Sequence, residues 1–356
     1  MVIKNWAVYI SIVLLIVFRF YQTRPIYQNG DTVRITATIL SDPIRYETSQ
    51  YLKIAGLKVY LPLYPEITFG DKIVVEGIIV SNKLTTTKLQ EIKIEKNGVF
   101  KIRESIISFY ESTLPSPYSG LVAGIVLGSK STLTNDFWEK VKNTGVAHVV
   151  VASGTNITFV ISFMIIFLSN FISRRKMMIF VILSVILYLF VSGFQAPLVR
   201  AAIMGLLVFF AQTRGYLVNN IKILAFTSLA MLLIKPEWLI DIGFILSVVA
   251  TASLILFEPT IRDKLKSLPV FIKEGLSTSL AAQIGVSPIL FVTFGQFNIL
   301  SPIINALILW TIPYIMIFGA VGGVFGLIFE PVGKLILYLV YPLLWYFVEI
   351  VGIFNF

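Results

Sequence analysis

From residue 157 to the C-terminus one apolar run follows another, parted by short polar or basic breaks. The hydrocarbon core of a bilayer takes roughly 20 apolar residues in a helix, and a backbone polar group inside it finds no water. A chain patterned this way has one economical solution, a set of helices that satisfy their own backbones and pack side by side in lipid. Of the 356 residues, 56% are hydrophobic, so the sequence reads as a mostly α-helical, polytopic membrane protein.

Polar residues inside such runs then carry the information, because each one left unpaired in lipid costs several kcal/mol. The first cluster stands where a run begins and continues to residue 172: His148, Ser153, Gly154, Thr155 and Asn156, preceded by Gly145. Two readings compete. In one, residues 153–156 break a helix and line a wet cavity, with Gly154 supplying the backbone freedom. In the other, a helix simply starts there, with Ser153 or Thr155 as its N-cap. Arg200 and Asp241 are the ionisable residues deep in the apolar region, and each is a functional candidate on that ground. Arg200 also reads as an interfacial snorkelling residue, and Asp241 as the cap of a helix that begins later. Gln283 interrupts the run 276–294, and Asn305 stands with two prolines in the run 299–329.

Basic residues at 4, 174–176, 214–222 and 262–266 mark the cytoplasmic side, which gives about nine spans, several short or proline-broken. On that count the C-terminus and the region 28–98 both lie outside the cell. Residues 1–22 are expected to form an uncleaved membrane anchor, since no small-residue cleavage pattern follows them. Residues 28–98 change to a period-two pattern: Val33, Ile35 and Ala37 alternate with polar residues, as do Leu57, Val59 and Leu61. Five short strands, turned at Ala55–Gly56 and Gly70–Asp71, point to an extracytoplasmic OB-like β-barrel. Lys53 and Lys58, with Tyr51 and Tyr60, fit a basic, aromatic surface for single-stranded DNA; the alternative is an ordinary solvated strand face. Residues 101–356 form the membrane domain. Within it, Gly120, Gly124 and Gly128 share one helical face and allow close packing in a buried or re-entrant helix.

Composition removes several classes. There are no cysteines and one histidine, which leaves no thiolate or His-rich metal site, and no metal or cofactor is expected. The glycine-rich stretch 124–131 has serine at 129 where a phosphate-binding loop needs glycine, so no nucleotide site is read there. The net charge of +10 suits an anionic partner, nucleic acid or lipid headgroups.

The order of these blocks resembles the ComEC-type competence proteins, membrane channels for DNA uptake in transformation. The residues that carry the resemblance are 121–128, Gly145 to His148 with Ser153 and Gly154, Ser192 and Gly193 through Arg200 and Ala201, Asp241 through Ser247, and Gln283, Pro288, Pro302 and Asn305. The resemblance implies passage of single-stranded DNA across the cytoplasmic membrane. It makes His148, Ser153, Gly154, Thr155, Asn156, Arg200, Asp241, Ser247, Gln283 and Asn305 candidates for the transport path. The sequence departs from the family pattern at Asn156, where histidine is common, and at Ile245, where glutamine is common. Many full-length relatives also carry a metallo-β-lactamase-like domain thought to be a nuclease, and no metal cluster of that kind is present in these residues. A nuclease, a DNA receptor and an ATP-driven helicase are accordingly expected as separate partners, and the chain itself is expected not to be an enzyme; homo-oligomerisation stays open. Two other readings remain: a small-solute transporter with its site at broken helices, and an intramembrane serine hydrolase built on Ser153, His148 and Asp241.

Overall fold

A computed structural model describes residues 3–23, 27–45, 48–81, 83–93, 98–151, 153–295 and 298–355. The chain forms two compact units, Val17–Ser105 and a larger one made of Met1–Ile16 with Ile106–Phe356. Helix α1 spans Ile3–Thr23, and α2, Gly98–Thr113, carries the second boundary.

The smaller unit is a six-stranded sheet: β1 Thr32–Thr38, β2 Ile44–Arg45, β3 Ser49–Ile54, β4 Leu57–Pro62, β5 Lys72–Val80 and β6 Lys83–Lys93. Its order is β1-β5-β6-β4-β3-β2, antiparallel except where β4 meets β6. Strand β4 alternates strictly between buried and exposed, as its period-two pattern requires. Ala55 and Gly56 both take positive φ, 50° and 83°, in the tight turn that pairs β3 with β4. Val33 and Ile35 of β1 pack into the same core as Leu52, Val59, Ile73 and Leu84, so the sheet curls round its apolar face. Among the described residues no ladder joins β1 to β2. The closed five-stranded barrel expected from the sequence is therefore a curled, open sheet of six strands. Gln50 is buried and useful: its Nε2 donates to the carbonyls of Pro62 and Pro65 at 2.8 and 2.9 Å, and its Oε1 accepts from Ile67 N. One side chain thus satisfies a loop that has no strand partner. Arg103, also buried, is neutralised by Asp42 at 3.2 Å and lies 4.2 Å from the Phe69 ring centroid.

The larger unit is helical: α3 Tyr118–Leu127, α4 Asn135–Asn143, α5 Ala147–Val150, α6 Gly154–Leu168, α7 Arg174–Ser192, α8 Ala196–Thr213, α9 Asn220–Ile234, α10 Ile242–Lys264, α11 Val270–Phe294, α12 Ser301–Ile308, α13 Ile312–Ile328 and α14 Glu330–Ile353. Short 3-10 turns occupy Pro236–Ile240 and Leu309–Thr311. Among the described residues six stretches are long and apolar enough to cross a membrane: α7, α8, α10, most of α11, α12 through α13, and α14. The protein is thus a multi-pass membrane protein; α3, α6, α9 and the apolar end of α1 are shorter.

Helix α3 is the centre of this unit, buried at every residue from Ser119 to Leu127. A helix buried all round must be apolar all round, which explains why its sequence shows no polar face. A Cβ on Gly120 would stand 2.6 Å from the Thr132 carbonyl oxygen, and one on Gly124 would overlap the Val150 carbonyl. The glycines of α13 serve the same end. Gly319 faces Val126, Gly322 faces Leu337, and the Gly319 carbonyl accepts from Tyr110 Oη at 2.8 Å. These are the close contacts that small residues four apart permit when lipid supplies no hydrophobic driving force.

Candidate functional site

The polar cluster ahead of α6 is built by a turn and a short helix. Thr134 caps α4 by accepting from Phe137 N, with Asp136 in the first turn. Gly145, at φ +75°, lets the chain leave α4 in the left-handed region. The four-residue α5 follows, and then Val151 and Ser153 are extended, at φ −100° and −116°. The helix break therefore falls ahead of Gly154, which is the first residue of α6 and is not the point of backbone freedom expected of it. Glycine is needed there for space: a Cβ would stand 3.1 Å from Ala201 Cβ and 3.7 Å from Arg200 Nη2. Ser153 occupies the N-cap position without making a capping bond. Its hydroxyl shares a 2.6 Å hydrogen bond with Thr155 Oγ1 and donates to Asn156 Oδ1 at 3.3 Å.

Asn156 differs from its expected role. It is 1% exposed, and its Nδ2 donates to the Ile125 carbonyl at 2.7 Å and to Tyr188 Oη at 3.0 Å. Ile125 lies in the last turn of α3, where carbonyls have no partner within the helix. Asn156 caps that buried end from the side, so its amide is spent inside the protein and does not face a wet cavity. Asn156→Leu is expected to strand the carbonyl and lower stability by about 1–3 kcal/mol, read as thermal unfolding of the purified protein. Asn156→His retains a ring donor and should cost less.

Arg200 sits on α8 at 8% exposure. Its Nε donates to Ser247 Oγ at 2.8 Å, and its Nη1 lies 3.4 Å from Met204 Sδ. No carboxylate pairs with it among the described residues. Asp241, the other ionisable residue of the apolar region, instead caps α10 by accepting from Phe244 N at 2.8 Å. A hydroxyl and a thioether leave the guanidinium charge without an opposite charge, and its Nη2 points toward the start of α6. Ser247 enters the site through that bond; its distance from Arg200 in the chain hid it from any spacing argument.

The remaining candidates lie apart from this pair. His148 is exposed on α5. Gln283 Nε2 donates to the Asn298 carbonyl at 3.2 Å, and Asn305 Nδ2 donates to Ser279 Oγ and Ser301 Oγ at 2.9 and 3.1 Å. Ser153, His148 and Asp241 are joined by no hydrogen bond among the described residues.

In the smaller unit, Lys53 pairs across the ladder with Lys58, and Lys58 with Lys83 of β6. All three are exposed. Tyr51 pairs with Tyr60, ring centroids 5.2 Å apart, one step along the same face. Like charges directly opposite each other across strands are unfavourable, so this row carries a cost that only screening or an opposite charge relieves. The place of Lys83 beside Lys58 could not be read in the sequence, because alternation reveals a face but not which strands adjoin.

Residues 125–356 match the family model described as "Competence protein". The chain belongs to the competence protein family. It is similar to ComE operon protein 3 of Bacillus subtilis (strain 168), 28% identical over 244 residues, which cover 67% of this chain and 31% of that protein. The chain thus spans about a third of the length of that curated relative. No solved structure matches it. The Ser153–Asn156 cluster, Arg200 and Ser247 all fall inside the matched competence region, whereas the lysine row of the sheet lies before it.

Proposed function

We propose that this competence-family protein is the channel subunit that passes single-stranded DNA across the cytoplasmic membrane during natural transformation. The observation that carries the reading is Arg200, a buried guanidinium in a membrane domain with no acidic partner among the described residues, facing the polar start of α6. A bare phosphate in hydrocarbon is prohibitive, and a fixed cation with hydroxyls beside it offers the chain of phosphates an alternative to water. Ser153, Thr155 and Ser247 supply those hydroxyls.

On this reading the curled sheet is OB-like and lies outside the cell, where it meets the strand first. Counting α1, α6 and α9 with the six longer stretches gives about nine crossings, the C-terminus also outside. Bond-breaking chemistry and ATP-driven pulling belong to partner proteins. The direct test is uptake of end-labelled DNA by competent cells with and without this gene. Uptake that survives the deletion overturns the reading.

The sheet makes a separate prediction. Val17–Ser105 has its own core, and its affinity for a labelled oligonucleotide should fall steeply with salt. Changing Lys53, Lys58 and Lys83 together to glutamine should weaken binding by at least about tenfold at low salt and flatten the salt slope by up to three charges' worth. Binding that ignores both salt and the substitution would remove the sheet from the path.

A further inference from the structure

The partly buried polar contacts of Gln283 and Asn305 lead to a second device. The end of α4 leaves carbonyls that its own helix cannot satisfy. One of these, on Asn143, and the carbonyl of Gly145 just beyond the helix are reached by Asn298 and Ser301, which lie between α11 and the start of α12. Asn298 Nδ2 donates to the Asn143 carbonyl at 2.8 Å, and Ser301 Oγ donates to the Gly145 carbonyl at 3.4 Å. The approach is close enough that a Cβ on Gly145 would stand 2.7 Å from Ser301 Oγ. Behind each of these residues stands one of the sequence candidates. Gln283 holds the Asn298 carbonyl, and Asn305 holds Ser301 Oγ. Gly145 leads directly into α5 and the extended residues before Gly154, which abuts Arg200.

We propose that Asn298 and Ser301 form a releasable latch that holds the α4–α5 turn, and through it the start of α6 beside Arg200. Two features make it releasable. The Ser301 contact with the Gly145 carbonyl, at 3.4 Å, is longer than the usual hydroxyl hydrogen bond and therefore weak. Asn305 Oδ1 is buried with no hydrogen-bond partner among the described residues, an acceptor waiting for a donor. Rotation of the Asn305 amide lets Oδ1 accept the Ser301 hydroxyl, which is thereby withdrawn from Gly145. The exchange gives the buried Oδ1 a donor and gives up the bonds that Nδ2 now makes to Ser279 and Ser301, so the same residues have a second way to bond. Gln283 and Asn305 are then positioning residues, without direct contact with a passing strand.

The latch can be tested without DNA, so that its failure is distinct from failure of the proposed channel function. Hydrogen exchange is measured on the intact protein in lipid nanodiscs for the wild type, Asn298→Ala and Ser301→Ala. Amides of residues 146–151 should exchange at least about tenfold faster in both variants, with residues 160–168 of α6 unchanged. Unchanged exchange at 146–151 in both variants overturns the proposal, as does an equal increase throughout α6, which would signal general loosening. The chain has no cysteine, so Asn143→Cys with Asn298→Cys gives a clean lock. The oxidised double variant should show slower exchange at 146–151 than its reduced form. A pair that fails to oxidise, with exchange at 146–151 unaltered, counts against the close approach that the latch needs.

Discussion

Arg200→Met lowers DNA uptake by roughly 10- to 100-fold while the protein stays folded and abundant in the membrane. The size follows from the loss of a charge-assisted hydrogen bond to phosphate, worth about 1.5–3 kcal/mol. The preserved folding follows from what surrounds the side chain. Deleting one member of a buried ion pair strands the other, but Arg200 has no carboxylate partner among the described residues to strand. Methionine keeps the apolar stem and removes an uncompensated charge, a change that is neutral or stabilising for folding. A purely structural arginine would show the opposite pattern, loss of abundance in step with loss of uptake. Arg200→Lys should fall between, since it keeps the charge but loses the planar fork and the Nε bond to Ser247. Quantitative uptake normalised to membrane abundance separates these outcomes.

Gly124→Val has the largest expected effect on the fold itself. The added Cβ would overlap the Val150 carbonyl oxygen, and both groups belong to backbone that is buried. No side chain is available to swing aside. Overpacking of this kind costs about 1–3 kcal/mol for a small group, and the branched side chain enlarges it. Helix α3 would be pushed from α5, with the Asn156 bond to Ile125 lost in the same movement. Membrane abundance should fall severalfold, and surviving protein should melt at lower temperature. Gly352→Ala, where a Cβ meets nothing within 4 Å, should leave both unchanged and serves as the control.

Much of the architecture was legible because it depends on local pattern. Alternation located β1 and β4, and the turn residues Ala55 and Gly56 marked where β4 begins. The glycines at 120 and 124 announced close packing. What escaped was tertiary. Whether a sheet closes depends on pairing between its outermost strands, and period two is silent on that. Asp241 takes the cap role that stood beside its functional reading, but only the structure shows that α10 begins directly after it. Asn156 reads as a donor looking for water until the end of α3 appears beside it. Asn298 and Ser301 carried no signal, because their partners are backbone carbonyls more than a hundred residues away in the chain.

The central claim is that the start of α6 beside Arg200 contacts the transported strand. Single cysteines at Ser153, Thr155, Val160 and Phe163 in the cysteine-free chain allow it to be tested directly. Cells are labelled with a water-soluble thiol reagent, with and without DNA stalled in transit by a bulky end-group. Cysteines at 153 and 155 should react readily in empty channels and be protected several-fold by stalled DNA, while those at 160 and 163 stay slow in both states. Equal reaction at 153 and 155 with and without stalled DNA, in cells shown to hold the stalled strand, would contradict the account.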